Sequence, residues 1–340
     1  MKRGLMIAVV EVAVALAGTW AHAQETSPKE PADCVKLQQD FFIDLKEVVK
    51  AGCTPSEAQI RRLLDNPVGN FVAIPLQYDY VQLGGPEVDD TKVMHRLQIT
   101  PTFPLSLGSD WNLINRVVLP VLSLPINEGF GDCIGLEPGT WINTCPSFPD
   151  VLADPFARTS GFGDMVYVGL ASPKKAIKIQ STGGAVIWGG GATTMLPTAS
   201  DEVLGTGKFG LGPAAVIAYL GPKWSLGIFA QHWWSAGGDS KRHDISLTNL
   251  QYFIYYAPPW DPKAQWRIGV SPNISIDWKA EGDRTSLPVG LGISRMVQIG
   301  KLPVSVTVEA DYAVVHPGDK PGSRWDFRVY FTPVIPTFMF

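Results

Sequence analysis

The chain has 340 residues, of which 45% are apolar and 18% are charged, and its formal net charge is −4. The charged fraction is below the roughly 25% of soluble domains. The slightly acidic balance argues against a nucleic-acid partner, which needs a basic surface.

The N-terminus has the three-part layout of a secretory signal peptide. Lys2 and Arg3 precede an apolar stretch over 5–17, and the sequence A-H-A at 21–23 is an A-x-A cleavage site. The alternative, an uncleaved membrane anchor, would need about 20 uninterrupted apolar residues, and the stretch is shorter. The sequence therefore predicts that residues 1–23 are removed on export. No later segment has the composition of a transmembrane helix.

The cysteines are Cys34, Cys53, Cys133 and Cys145, an even number in a chain predicted to be exported, so two disulfides are expected. Four cysteines permit three connectivities. The pairing of Cys34 with Cys53 and of Cys133 with Cys145 is favoured because each pair closes a segment with turn residues inside or beside it. A metal site would need closer clusters such as C-x-x-C, and the sequence has none. No metal or other cofactor is expected.

Residues 24–66 are predicted to form a separate N-terminal region. Residues 24–33 have the composition of a disordered leader, and apolar residues at helical spacing predict a helix over 35–51. The sequence T-P-S-E at 54–57 supplies an N-cap, a proline and a glutamate for a second helix. The two helices would form a short hairpin joined by the first disulfide. It would be either a periplasmic appendage or a plug inside the barrel predicted below.

The clearest strand pattern lies at 266–278, where every second residue from Trp266 to Trp278 is apolar. The residues between them, such as Arg267 and Asp277, are polar or small. Side chains of a strand point alternately to opposite faces, so the pattern predicts one strand with an apolar face and a polar face. A tilted strand crosses a bilayer in about 9–11 residues and carries aromatics at the interfaces. The terminal tryptophans fit that arrangement.

The same alternation recurs along the chain and predicts twelve strands in all. An even number of antiparallel strands closes into a barrel and leaves no edge exposed to lipid. Residues 67–340 are therefore predicted to be an all-β, transmembrane antiparallel barrel in the outer membrane of a Gram-negative bacterium. The alternative is a large soluble β-protein, but the strand lengths, the terminal tryptophans and the export signal favour the barrel. The strand candidates are approximately 71–83, 92–104, 111–124, 161–172, 177–196, 207–220, 223–235, 244–257, 264–279, 284–297, 301–315 and 323–336.

The connections between the predicted strands differ in length at the two ends of the barrel. Those at 106–110, 172–175, 221–222 and 298–301 are short and suit periplasmic turns. The longer ones suit the outer surface, and the longest, 127–160, contains the second cysteine pair.

Charged residues on the predicted inward face are the best candidates for a functional site. Buried charges must pair or contact water, and Arg328 is placed to pair with Glu309 or Asp311 across neighbouring strands. The cluster is either a structural network that packs a narrow lumen or a selectivity and gating network. The lumen candidates are Arg267, Asp277, Lys279, Glu309, Asp311, Asp326 and Arg328.

Two other patterns suggest chemistry more weakly. The sequence G-T-G-K-F-G at 205–210 matches a dinucleotide fingerprint, but that motif works only between a strand and a helix, and here a strand is expected to follow. His232, His243 and Asp244 flank a serine-containing loop, so a hydrolase site at the outer mouth is an alternative to a solvated polar loop. No G-x-S-x-G element is present.

Residues 161–340 resemble a family of outer-membrane proteins related to the barrel of the phenol-degradation meta-pathway, described as transporter-like. The resemblance implies a twelve-stranded barrel associated with the passage of hydrophobic or aromatic compounds. It supplies no ligand residues. The segments that carry it are GFGD at 161–164, LPTASD at 196–201, LGTGK at 204–208, GP at 212–213, WSLG at 224–227, SLPVGLG at 286–292, KLPV at 301–304 and WDFR at 325–328.

These observations together predict an outer-membrane channel or facilitator for a small organic solute, hydrophobic or aromatic, that works by diffusion and without covalent chemistry. The expected partners are outer-membrane lipid, the solute and the barrel-assembly machinery, with no nucleic acid. An outer-membrane hydrolase and a structural or adhesive barrel are the alternatives.

Overall fold

The computed structural model describes most of the chain and divides it into two compact units, Met1–Thr54 and Pro55–Phe340. The boundary falls within the predicted N-terminal region 24–66. The predicted signal peptide and residues 24–31 of the predicted leader lie outside the described residues. The described residues are 32–39, 43, 45–69, 71–85, 88–136, 141–261, 265–300, 302–318 and 321–336.

The first unit contains two short helices and a disulfide that joins the first helix to the segment after the second. Helix α1 spans Ala32–Gln39 and helix α2 spans Leu45–Lys50. Cys34 and Cys53 form a disulfide with their Cα atoms 5.4 Å apart. The single helix predicted over 35–51 is therefore wrong. At 1.5 Å per residue, an unbroken helix of that span would be about 25 Å long, so the chain must bend to bring the two cysteines together.

The second unit is a closed barrel of twelve antiparallel strands, as the sequence predicts, preceded by helix α3 (Glu57–Asp65). Each strand pairs with its neighbours in the chain, and the last strand pairs with the first through a register in which Phe327 faces Tyr80. The strands are β1 (Phe71–Ala73 and Leu76–Gly85), β2 (Val88–Ile99 and Thr102–Leu107), β3 (Trp111–Pro125), β4 (Arg158–Phe162, Met165–Pro173 and Ile177–Ile179), β5 (Gly184–Leu196), β6 (Lys208–Leu220), β7 (Trp224–Gly238), β8 (Ser246–Tyr256), β9 (Trp266–Val270 and Asn273–Asp277), β10 (Thr285–Ile299), β11 (Leu302–Val315) and β12 (Gly322–Pro336).

Prolines account for three interruptions of the strands. Pro75, Pro101 and Pro272 lie in the gaps of β1, β2 and β9. A proline has no N–H to give to the ladder, so regular pairing stops there. The strand predicted over 264–279 is therefore two segments on one line, and its alternation of faces continues across the gap.

The turn between β4 and β5 lies later in the chain than predicted. Residues 177–179 belong to β4, and the reversal occurs at 180–183 rather than at 172–175. Gly183 adopts a positive φ of 63° there, a conformation that glycine reaches without a steric penalty. The predicted strand over 177–196 therefore spans the end of one strand, a turn and the next strand.

The barrel has one end of mostly short turns and one end of longer loops. At the short-turn end, β2–β3, β6–β7 and β10–β11 connect through a few residues each. At the long-loop end, the β3–β4 connection is the longest. It contains a 3₁₀ turn (Glu128–Cys133) and helices α4 (Trp141–Thr144) and α5 (Phe148–Ala153). A disulfide joins Cys133 to Cys145 in this loop.

The outer wall of the barrel is apolar and bounded by aromatic residues near both ends. Leu226, Ile228 and Ile254 are exposed on it, each by 44%. Interfacial aromatic belts of this kind are typical of transmembrane barrels. None of the described helices is long and apolar enough to cross a membrane. The aromatics are Trp111, Trp188, Trp224 and Tyr256 toward the short-turn end, and Trp234, Trp278, Tyr312 and Trp325 toward the long-loop end.

Candidate functional site in the barrel lumen

Arg328 lies at the centre of a buried ion cluster on the inner wall. Its Nη2 is 2.9 Å from Asp326 Oδ2, and its Nη1 is 3.3 Å from Asp311 Oδ2 and 3.7 Å from Glu309 Oε1. The structure thus brings these four predicted residues together. The closest contact differs from the predicted cross-strand pair, because Nε and Nη2 both reach Asp326, two residues earlier on the same strand.

Two residues that the sequence analysis did not single out complete the ion cluster. Asp79 on β1 is fully buried and accepts a 2.6 Å hydrogen bond from Arg96 Nε on β2. Gln77 Nε2 also donates to Asp79 Oδ1, at 2.8 Å. Arg96 Nη2 reaches Asp326 at 3.6 Å and so joins both halves of the cluster.

The strand register accounts for this gathering of charges. Arg328 on β12 is directly opposite Glu309 on β11 and opposite Asp79 on β1. Asp326 is directly opposite Asp311. Like charges in that position repel, and the guanidinium of Arg328 lies within 4 Å of both carboxylates. The cluster has four carboxylates and two guanidinium groups, so its formal charge is −2 when all are ionised.

The interruption of β9 adds a backbone contact to the cluster. Ser271 precedes Pro272 in the gap, and its N–H donates to Glu309 Oε1 at 3.0 Å. Its hydroxyl donates to Glu309 Oε2 at 3.2 Å. Both carboxylate oxygens of Glu309 therefore have donors, which offsets part of the cost of burying the charge.

A polar cavity of about 310 Å³ lies beside the ion cluster in the lumen. Arg328 and Asp326 form part of its wall, and Arg116 on β3 also lines it. Arg96 and Asp311 line it as well, and side-chain amides and hydroxyls supply the remaining polar groups, so the cavity offers both charged groups and many neutral hydrogen-bond donors and acceptors. The amide residues that line it are Gln77, Gln98, Gln231, Asn249, Gln251 and Asn273.

Helix α3 lies inside the barrel toward its short-turn end and is held there by buried polar contacts. Ser56 and Gln59, and not the predicted Thr54 and Glu57, form a capping box at its N-terminus, so the helix starts two residues later than predicted. Arg61, 3% exposed, donates through Nη1 to Ser305 Oγ at 3.0 Å and through Nη2 to Ser294 Oγ. Helix α3 therefore contacts the inner wall of the barrel through buried side chains.

Asp65 at the end of α3 supplies the second attachment. Its Oδ2 is 3.3 Å from Arg267 Nε on β9 and accepts a 2.9 Å hydrogen bond from Ser225 on β7. Arg267, one of the lumen candidates, therefore contacts a carboxylate of α3 and not one of the strands.

Part of the inner wall is apolar, which the expectation of a polar face did not include. Val68, which follows α3, packs against side chains from β3 to β8. The lumen at this level thus has a charged sector on β9–β12 and β1–β2 and an apolar sector opposite. The buried members of the apolar sector are Ile114, Val168, Leu170, Ile187, Ala214, Val216, Ala218, Leu220, Phe229 and Phe253.

The remaining lumen candidates lie elsewhere. Asp277 ends β9 at the long-loop end, where its Oδ1 accepts a 3.0 Å hydrogen bond from the N–H of Lys279. Lys279 is exposed and Asp277 is half-buried. Strand β9 ends at Asp277, so the alternation of faces does not extend to Lys279. The two residues form part of a turn that lies outside the ion cluster.

The histidines are also separated. His232 points outward from β7, with Nδ1 2.7 Å from Thr248 Oγ1 and Nε2 3.5 Å from Ser246 Oγ. His243 is exposed in the following loop. Asp244 Oδ1 is 3.1 Å from Lys208 Nζ, and that hydrogen bond and charge lower the pKa of the Asp244 carboxyl. Ser235 also hydrogen-bonds to the Asp244 side chain, whereas no described contact joins His243 to either residue.

The glycine-rich motif at 205–210 does not form a nucleotide site. Strand β6 begins at Lys208, so a strand and not a helix follows the glycines, as expected. In the part of the chain that the structure describes, no group of three or more histidine, cysteine, aspartate or glutamate residues is arranged to hold a metal ion.

Comparisons with known proteins concern the fold. No family model and no curated protein matches the chain. Among solved structures, an outer membrane channel from Pseudomonas putida F1 is similar with a TM-score of 0.52 at 14% identity, over 79% of this chain and 97% of that chain. The NanC porin has a TM-score of 0.41 at 9% identity, over 76% of this chain and 98% of the porin. Outer membrane phospholipase A from Escherichia coli has a TM-score of 0.38 at 12% identity, over 84% of this chain and 100% of the phospholipase. The chain thus has the fold of outer-membrane β-barrels.

Proposed function

We propose that the protein is an outer-membrane channel or facilitator for small organic compounds, hydrophobic or aromatic, and that they pass by diffusion without covalent chemistry. The single observation that carries the proposal is the polar cavity of about 310 Å³ in the lumen, bounded by a fixed ion cluster. The resemblance of residues 161–340 to transporter-like barrels favours the same function and the aromatic class of solute. The bacterial barrel of similar fold, described as an outer membrane channel, is in keeping with it.

The contents of the lumen indicate how passage is controlled. Amide groups surround the cavity, and helix α3 lies beyond it toward the short-turn end. A solute that enters from the long-loop end meets hydrogen-bonding groups first and the plug helix afterwards. Passage through the lumen therefore requires α3 to move or the solute to leave by a lateral path.

Conductance and flux measurements on two deletions test this proposal. Deleting residues 24–66 removes α3, whereas deleting 24–54 removes only the disulfide-linked unit and keeps α3. We expect single-channel conductance and the flux of benzyl alcohol into liposomes to rise with the first deletion and to stay near the intact protein's level with the second. A barrel that is correctly folded and still impermeable to every small organic compound without α3 would contradict the proposal.

A second function, hydrolysis of lipid or peptide, has one contact in its favour. His232 Nε2 is 3.5 Å from Ser246 Oγ on the outward face, and Thr248 holds Nδ1 at 2.7 Å. A base held by a third group is the arrangement that activates a serine. Ester hydrolysis in detergent, abolished by Ser246→Ala and by His232→Ala but not by His243→Ala, is the result this function requires. Absence of turnover in the intact protein excludes it.

A further inference from the structure

Three loops at the long-loop end line an open cavity that lies outside the lumen site. The cavity has a volume of about 240 Å³. Ile126, Phe130 and Ile134 of the β3–β4 loop line one part of it, and Val203 of the β5–β6 loop lines another. We call this cavity the loop pocket. An apolar cavity of about 150 Å³ is known to bind benzene, so the loop pocket has room for one substituted ring.

The lining of the loop pocket includes two residues of opposite charge. Glu202 and Arg242 line it, and both also line a second cavity of about 220 Å³ beside it. Arg242 Nε donates to Thr206 O at 3.0 Å, and its Nη2 donates to Gly205 O. Among the described residues, no carboxylate lies within 4 Å of the Arg242 guanidinium in an ion pair, and Glu202 has no cationic partner.

The loop pocket is held in shape by its own bonds. The Cys133–Cys145 disulfide closes the first loop. Asn127 accepts from Gly129 N at 2.9 Å and donates to Asp154 O at 2.9 Å across that loop. A pocket that is ordered before its ligand arrives loses less entropy on binding.

A similar set of contacts fixes the second loop. Asp164 Oδ2 accepts from Thr206 N at 2.6 Å, and Asp164 Oδ1 accepts from Ala199 N at 3.1 Å. Both carboxylate oxygens of Asp164 therefore accept hydrogen bonds from the loop backbone. Glu202 is left as the carboxylate residue that lines the loop pocket and has no hydrogen bond or ion pair among the described contacts.

We infer that the loop pocket binds a small neutral organic molecule with an apolar ring or short chain and one hydroxyl-like group. The apolar walls take the body of the molecule. The hydroxyl donates to the Glu202 carboxylate and accepts from the Arg242 guanidinium. An anion would be repelled by Glu202 and a cation by Arg242, and desolvating either charge is costly. This site deepens the proposed channel function, on which it rests, by giving the solute a first binding place at the long-loop end.

Titration calorimetry on the full mature protein in detergent micelles tests the site with three probes of similar size, namely benzyl alcohol, benzoate and benzylammonium. Binding to empty micelles, which does not saturate, is measured and subtracted. We expect saturable binding of benzyl alcohol and binding weaker by about tenfold or more, that is 1.4 kcal/mol, for both charged probes. Equal affinity for all three probes, or no saturable binding of benzyl alcohol, would overturn the inference.

Two matched variants locate the binding. Val203→Phe places a ring in the loop pocket and should weaken benzyl alcohol binding by about tenfold or more. Leu152→Phe adds the same group to a side chain that is 71% exposed on α5, in the β3–β4 loop, and should change nothing. Glu202→Gln removes the negative charge and should raise the affinity for benzoate relative to benzyl alcohol. Unchanged binding in Val203→Phe would overturn the inference even if the intact protein binds the probe.

Flux measured on the same proteins separates the two proposals. Liposome flux of benzyl alcohol without saturable binding would leave the channel function intact and refute the loop pocket. Saturable binding lost in Val203→Phe, in a protein that conducts nothing even without residues 24–66, would support the loop pocket and refute the channel.

Discussion

At the scale of single residues, Arg328 is the most constrained side chain in the lumen. It is 3% exposed and lies within 4.0 Å of carboxylates from β1, β11 and its own strand. Burying a charge is tolerable only when partners replace the lost water. The four carboxylates around it depend on its guanidinium in the same way, so the residues of the ion cluster stabilise one another.

Replacing Arg328 by Ala should destabilise the barrel by about 3–5 kcal/mol, the usual cost of removing one partner from a buried charge pair. Arg328→Lys keeps a charge but loses the planar set of donors, and we expect an intermediate loss. The measurement is the urea midpoint of unfolding in phospholipid vesicles, followed by the gel shift between folded and unfolded protein. Lys279→Ala, exposed in a turn, is the control. If Arg328→Ala unfolds at the same urea concentration as this control, the ion cluster is not stabilising.

Alternation along the strands was sufficient to predict that Glu309, Asp311, Asp326 and Arg328 share the inner face. The same rule applied to β1 and β2 would have placed Asp79 and Arg96 there too. What the sequence alone does not contain is that the first strand pairs with the last in a register that sets Asp79 opposite Arg328. Contacts across the closure depend on shear, which single-strand patterns do not encode.

At the scale of elements, helix α3 is too short to be stable by itself. Its nine residues are below the about 12–15 that an isolated helix needs in water. Its place in the lumen therefore depends on the contacts that Arg61 and Asp65 make with the strands. Loss of those contacts should release the helix from the lumen while the strands of the barrel stay paired.

Arg61→Ala should increase channel opening. It removes two hydrogen bonds from a charged donor, each worth about 1.5–3 kcal/mol, so the plugged state should lose at least about tenfold in population relative to the open one. Single-channel recording of open probability in planar bilayers measures this. Glu47→Gln on α2, an exposed charge in the other unit, should behave as the unmodified protein. Equal open probabilities in both variants would mean that Arg61 does not hold the plug.

The disulfide between Cys133 and Cys145 should matter for the β3–β4 loop and little for the barrel. Closing a loop of this length contributes about 3 kcal/mol in the chain-entropy model. Replacing both cysteines by Ser should make the loop cleavable by added protease while the barrel core resists. Intact protein and the Cys34→Ser, Cys53→Ser double variant serve as controls. A loop equally resistant in all three would show that its other contacts suffice.

The pattern of apolar and polar residues predicted the type and number of the strands and helices better than it predicted where each one begins and ends. The turn at 180–183 was missed because lysines and a proline at 173–175 make a stronger local turn signal than the later glycines. The break in the N-terminal helix was missed because helical periodicity takes no account of a disulfide constraint. The position of α3 in the lumen follows from tertiary contacts alone, since its capping sequence indicates only roughly where the helix starts.

At the scale of the whole molecule, the barrel separates two solvents. Its outer wall is bounded by Trp224 near one end of β7 and Trp234 toward the other, with apolar residues between them. Its inner wall carries the ion cluster and the amide-lined cavity. The folding free energy lost when a charged residue is introduced should therefore depend on whether the residue faces the lipid or the lumen and on its depth in the bilayer, and not on its exposed fraction alone.

Placing Arg at Ile228, midway along the outer face of β7, should cost about 2–4 kcal/mol of folding free energy in a bilayer. Placing Arg at Ala236, beyond Trp234 on the same strand and face, should cost about 0–1 kcal/mol. Reversible urea titrations in vesicles give both values. Similar costs at the two positions would show that Ile228 does not face hydrocarbon.

The ion cluster also bears on the order of events when the barrel is made. Asp79 and Arg96 come from the first two strands, whereas Glu309, Asp311, Asp326 and Arg328 come from the last two. Until the first and last strands pair, both ends of the sheet carry ionised side chains beside unpaired backbone N–H and C=O groups, which are costly to place in hydrocarbon. An open sheet should therefore not be released into lipid, and pairing of the first and last strands removes both costs together.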